Sequence, residues 1–152
     1  MTFARSFTKV AGLIGLALVG GFQALPAGAV DPSRITAADA TPGDWLTYHG
    51  TYKSYHYSAL DQINSDNIRN LRVAWTHVPG RSTRGLQSMP LAADGVLYYS
   101  GSYSRLFALD GASGEVLWTY FPELNEDLIA TQTHSPYNRG IALGHGKVYV
   151  GT

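Results

Sequence analysis

The sequence of 152 residues predicts an all-β fold built from repeated blades, and three observations carry that prediction. Leu71-Arg72-Val73-Ala74-Trp75-Thr76 and Glu115-Val116-Leu117-Trp118-Thr119 both end an alternating strand on Trp-Thr, the two tryptophans 43 residues apart. Gly95-Val96-Leu97-Tyr98-Tyr99 recurs 51 residues later as Gly146-Lys147-Val148-Tyr149-Val150. Periods of about 40 to 50 residues mark a propeller or another β-repeat, in which each unit buries its faces against its neighbours. The composition agrees: 17 Gly, 10 Tyr and 3 Trp with only 14% charged residues favour short strands and tight turns over amphipathic helices. Finally, Ala108-Leu109-Asp110-Gly111-Ala112-Ser113-Gly114-Glu115-Val116-Leu117-Trp118 reads as a hairpin: Asp110 can accept backbone N–H bonds, Gly114 permits positive φ, and a tryptophan follows at a fixed offset.

Taken in order, residues 1–29 have the form of a secretory signal peptide. Arg5 and Lys9 are its basic region, Val10 to Val19 its apolar and Gly-interrupted region, and Ala27-Gly28-Ala29 a small-x-small cleavage site. A retained membrane anchor is the competing reading, disfavoured because the apolar run is shorter than the roughly 20 residues of a span. Cleavage would remove Arg5 and Lys9 and leave a mildly acidic mature segment free of any span. Residues 30–43 are rich in Pro, Ala, Ser and Thr without hydrophobic period and read as a linker. The ordered part is expected over 44–152, beginning at Asp44-Trp45. A polar loop with Tyr52, Tyr55 and Tyr57 follows, and Ser65-Asp66-Asn67-Ile68 offers an N-cap and a helical turn. Strands are expected over Leu71–Val78, Val96–Ser100, Leu106–Leu109, Val116–Tyr120 and Lys147–Gly151. The last of these reads as a strand interior, so we expect a truncated propeller, the amino-terminal portion of a longer protein. A small independent β-domain is the alternative.

Net charge is zero, which removes the electrostatic basis for nucleic-acid binding. The absence of cysteine excludes thiol chemistry and disulfides. The histidines, His49, His56, His77, His134 and His145, lack the i, i+4 spacing of a helical metal site, and the acidic stretch from Glu123 to Asp127 lacks the spacing of a calcium loop. No metal-ligating residue is therefore assigned.

The 108–118 hairpin resembles the tryptophan-docking motif of the quinoprotein alcohol dehydrogenases, with Ser113 in place of the usual threonine. The resemblance extends through Asp44-Trp45-x-x-Tyr48-x-Gly50, Tyr57-Ser58-x-Leu60-x-x-Ile63-Asn64, Asn67-x-x-Asn70-Leu71-x-x-x-Trp75 and Pro90-Leu91-x-x-Asp94-Gly95-x-Leu97-Tyr98 to most of the region 44–152. The chain thus resembles the amino-terminal region of dehydrogenases of the methanol and ethanol type that depend on pyrroloquinoline quinone (PQQ). The resemblance implies an eight-bladed β-propeller, of which this chain holds the first blade and the edges of its neighbours.

It also implies a periplasmic enzyme that oxidises a small alcohol by hydride transfer to PQQ and passes electrons to cytochrome c or ubiquinone. Calcium or a lanthanide ion would be held by residues of later blades, so the segment alone is expected to be inactive. In Tyr137-Asn138-Arg139-Gly140, Arg139 matches the family's quinone-binding arginine; a guanidinium suits the carboxylates and ortho-quinone of PQQ because its planar donors never lose their charge. Gln87 stands where the family places a cofactor-bonding glutamate; an amide still donates and accepts but removes a negative charge. Arg139 and Gln87 are the candidate cofactor-binding residues. Thr133 and His134 occupy the positions of the family's vicinal cysteine pair, so that disulfide cannot form. This departure keeps open a non-catalytic propeller of the same repeat, acting as an envelope assembly scaffold. An exported carbohydrate-binding domain, resting only on the tyrosines, is a third reading.

Overall fold

The computed structural model describes residues 30–80, 82, 85–125, 127, 129 and 136–152. The expected signal peptide and the Thr133–His134 pair lie outside the described residues.

Four strands, β1 (Leu91–Ala93), β2 (Val96–Ser100), β3 (Leu106–Asp110) and β4 (Val116–Tyr120), form an antiparallel meander in sequence order. A separate hairpin pairs β5 (Ala142–Gly144) with β6 (Lys147–Tyr149). The 51-residue repeat has a physical meaning here. Asp94-Gly95 closes β1–β2 and His145-Gly146 closes β5–β6, with φ of +52° and +76° in one turn and +49° and +67° in the other. Two successive left-handed residues in a two-residue loop match the right-handed strand twist, so Leu91 opposite Tyr98 is repeated as Ala142 opposite Tyr149. The second hairpin therefore begins a second blade.

Strand alternation sends side chains to two covered faces of the four-stranded sheet. On one, Leu91, Ala93, Tyr98 and Ala108 pack with Val30, Ala38, Leu46 and Leu143. On the other, Tyr99, Phe107 and Leu109 pack with Trp75 and Leu97. Leu109 and Leu91 are almost wholly removed from water, each contributing about 1.5–3 kcal/mol by burial.

The first face is closed by residues expected to form a linker. They are instead folded onto the sheet: Asp31 caps a short helix α1 (Pro32–Thr36) by accepting from the Arg34 amide, and Val30 is fully buried. The hydrophobic period is missing because single anchors, not a repeating stripe, hold this arm. Trp45 and Ala92 exchange backbone bonds of 2.8 and 3.0 Å at the β1 edge, and the His145 amide donates to the Val30 carbonyl at 2.7 Å. Arg34 donates through both terminal nitrogens to Asp94 (2.8 and 2.7 Å) and also to Asp44 (2.7 Å).

The expected strand over Leu71–Val78 joins no ladder among the described residues. Its alternation is real, because Trp75 and His77 turn inward while Val73, Ala74, Thr76 and Val78 are exposed, but it describes side chains laid against a sheet face rather than strand pairing. Likewise β6 ends at Tyr149, earlier than expected, and β3 runs one residue further, to Asp110. The turn expected from Ser65 is a 3₁₀ turn over Ile68–Asn70, and Asn67 does not cap it. Its side chain instead accepts from the Asn64 amide and donates to the Gln62 carbonyl.

The 108–118 motif forms the expected hairpin. One oxygen of Asp110 accepts from the Ala112 and Ser113 amides and the Ser113 hydroxyl, and Gly114 has φ +75°. The tryptophan that lies on Gly114 is Trp75, from the preceding repeat. A Cβ added to Gly114 would lie 2.5 Å from its ring, and the Trp75 indole N–H donates to the Gly111 carbonyl at 3.2 Å. Trp118 packs against Tyr98, their centroids 6.1 Å apart.

Candidate functional site

Gln87 and Arg139 sit on different loops. Gln87 belongs to the segment that leads into β1, and Arg139 to the segment that leads into β5. The fold brings them together: Arg139 Nε donates to Gln87 Oε1 at 3.2 Å, across 52 residues of sequence. Both side chains are exposed. The bond uses one of the guanidinium's five N–H donors and sets an uncharged amide beside a permanent cation. Such a pair has no negative charge of its own to repel an anionic planar ligand, so its donor chemistry fits a quinone bearing carboxylates.

Each loop is fixed next to its candidate residue. Ser88 Oγ accepts from the Ser100 amide (3.0 Å) and hydroxyl (2.9 Å) at the end of β2. The Asn138 amide nitrogen donates to Ser104 Oγ (3.0 Å) and the Gly151 carbonyl (2.8 Å), while its oxygen accepts from the Gly140 amide (3.0 Å). The sequence offered no sign of Ser88, Ser100 and Ser104 as site-supporting residues, because a serine between strands is ordinarily a turn residue. Asn138 was visible only as part of Asn-Arg-Gly.

Behind the Gln87 segment lies a largely apolar groove of about 220 Å³ lined by Trp75, His77, Leu86, Ser88 and Tyr99 among others. Burial pushes the Tyr99 phenol up to about 12, so it stays protonated at neutral pH. It is hydrogen-bonded to His77 Nδ1, and Phe107 stacks on the Tyr99 ring at 5.0 Å between centroids. This half-buried contact gives the groove a fixed wall. No three His, Asp or Glu side chains gather into a metal-binding group among the described residues, and no helix among them is long and apolar enough to cross a membrane.

A four-stranded antiparallel meander, a following hairpin that starts the same pattern again, and a tryptophan seated on the turn of the next repeat together define a β-propeller blade with the start of its neighbour. The chain belongs to the family of PQQ glucose/ethanol/alcohol dehydrogenase β-propeller domains, whose model matches residues 45–149. It is 44% identical over 140 residues to the quinohemoprotein alcohol dehydrogenase ADH IIB of Pseudomonas putida, covering 92% of this chain and 20% of that protein. It is 40% identical over 152 residues to the dehydrogenase subunit of the quinone alcohol dehydrogenase of Gluconacetobacter polyoxogenes, at 97% and 20% coverage. Among solved structures it is similar to the quinohemoprotein alcohol dehydrogenase ADHIIG of Pseudomonas putida HK5, with a TM-score of 0.74 at 38% identity over 84% of this chain and 18% of that one. A europium-containing methanol dehydrogenase gives a TM-score of 0.70 at 30% identity, covering 79% and 21%. The chain thus spans about a fifth of the length of these relatives.

Proposed function

We propose that this chain is the amino-terminal portion of an exported, periplasmic PQQ-dependent dehydrogenase that oxidises small alcohols, with Arg139 and Gln87 contacting the cofactor. The observation that carries the reading is the Arg139–Gln87 hydrogen bond, which unites the two positions singled out by the resemblance. The alcohol dehydrogenase names of the relatives support the substrate class.

When bound, PQQ supplies a two-electron acceptor for the hydride that leaves the alcohol carbon. Arg139 would hold the anionic ring system by charge-assisted hydrogen bonds and stabilise negative charge developing on its oxygens. Gln87 orients the guanidinium through Nε and can donate its own N–H to the same ligand. The general base, and the calcium or lanthanide ion, would be supplied by residues outside this chain, as would the contact with cytochrome c or ubiquinone. The europium in the name of one structural relative makes a lanthanide the first cation to try.

The test is equilibrium titration of PQQ into the cofactor-free full-length protein. Arg139→Ala should weaken binding by roughly ten- to a hundredfold, the value of a charge-assisted contact. Unchanged affinity would remove Arg139 from the cofactor site, and no measurable binding of PQQ by the wild-type protein would favour the scaffold reading.

A further inference from the structure

We propose that the turn joining β2 to β3, with Asn138, forms a bracket that fixes the spacing between Gln87 and Arg139, which makes Ser104 and Asn138 positioning residues for the quinone site. The inference rests on the cofactor reading above and adds to it the device that orients the arginine.

One short stretch of chain anchors both loops. Its first residue, Ser100, donates twice to Ser88, the neighbour of Gln87. Its last, Ser104, receives the Asn138 amide, next to Arg139. Between them the Tyr103 amide donates to the Pro136 carbonyl at 2.8 Å, a third tie to the arginine loop. The two candidate residues are thus linked through the single five-residue stretch Ser100–Ser104 as well as by their direct contact.

The turn is suited to hold a fixed distance. Tyr103 and Ser104 are consecutive non-glycine residues with φ of +59° and +53°, a conformation that persists only when the surroundings over-determine it. Ser102, Tyr103 and Ser104 are all buried, and Arg105 lies over the Tyr103 ring at 5.5 Å. On the arginine side, the Asn138 amide uses its oxygen for the Gly140 N–H, just after residue 139, and its nitrogen for Ser104 and the Gly151 carbonyl, so it ties the arginine loop to both. Ser104 Oγ donates in turn to the Gly151 carbonyl at 3.1 Å, closing the network. None of these groups needs to touch the ligand. Their effect would be to keep the exposed guanidinium in one orientation before the ligand arrives, which lowers the ordering cost of binding.

A double-mutant cycle in the full-length, cofactor-free protein distinguishes positioning from general stabilisation. PQQ affinity would be measured for wild type, Asn138→Ala, Arg139→Ala and the double variant. Asn138→Ala alone should weaken binding by roughly three- to tenfold, whereas adding it to Arg139→Ala should cost less than about twofold, because there is no longer a guanidinium to orient. Equal factors with and without Arg139, or no effect of Asn138→Ala in the wild-type background, would overturn the bracket. Wild-type affinity in Arg139→Ala would instead overturn the cofactor reading, so the two failures are distinct. If Asn138→Ala does not fold, Ser104→Ala removes only the hydroxyl that bridges Asn138 and Gly151, and the same cycle applies to it.

Discussion

At Asp110, one carboxylate oxygen collects three donors, two backbone amides and the Ser113 hydroxyl. These bonds favour the ionised form, led by the Ser113 amide and then its hydroxyl, and hold the carboxyl below its ordinary value. Asp94, bonded by Arg34, and Asp31, bonded by Ser33 and the Arg34 amide, are lowered in the same way. A carboxyl with a depressed pKa in the folded state stabilises the fold in full above the unfolded value of 3.8 and loses that contribution as pH falls through the folded value. The melting temperature should therefore drop as pH falls below about 4, and Asp110→Asn should reduce that drop. An equal drop in the variant would show that Asp110 is not a source of the acid sensitivity. Asp110 was legible in the sequence because turn chemistry is local. The candidate site was not legible in that way: Arg139 and Gln87 could be singled out only through a resemblance, and their contact spans 52 residues. Ser88 and Ser104 carried no signal, since the tie each makes depends on a loop distant in sequence.

Among the elements, those bounded by glycine turns and rich in aromatic residues were readable. Strands β2, β3 and β4 fall where alternation and the Asp110–Gly114 turn place them. Strands β1 and β5 were missed because three residues of Leu, Ala and Gly are too few to establish a period. The Leu71–Val78 segment misled for the opposite reason: its period of two is clear, yet the inward residues pack on a sheet face with no ladder partner among the described residues. That packing makes Gly114 the most exacting position of the hairpin. It combines φ +75° with a tryptophan ring where a side chain would begin. Gly114→Ala should cost about 2–4 kcal/mol, from the left-handed backbone and from overpacking, read by chemical denaturation alongside the fluorescence of the displaced Trp75. A cost below about 1 kcal/mol would mean that the indole moves away freely and does not join the two repeats.

On the scale of the whole molecule, repetition at 43 and 51 residues conveyed the architecture better than any single motif, because a blade is defined by what its neighbour repeats. The amino-terminal arm was the main omission, since its anchors are isolated residues spread over a segment with no period. Those anchors reach far along the chain: Arg34 to Asp94, Trp45 to Ala92, and Val30 to His145. The β-hairpins, by contrast, close over a few residues. Closing short loops is fast and docking a distant segment is slow, so the sheet should form first and the arm should dock onto it afterwards. The same order run in reverse makes the arm the part that opens without global unfolding. Hydrogen exchange should find the amides of Trp45 and His145 less protected than those within β2 and β3, and uniform protection would mean that arm and sheet unfold as one unit. Because Val30, Ala38 and Leu46 cover Tyr98 and Ala108, each opening would briefly bare one apolar side of the blade to water, a vulnerability that a protease cutting near Gly43 would make permanent.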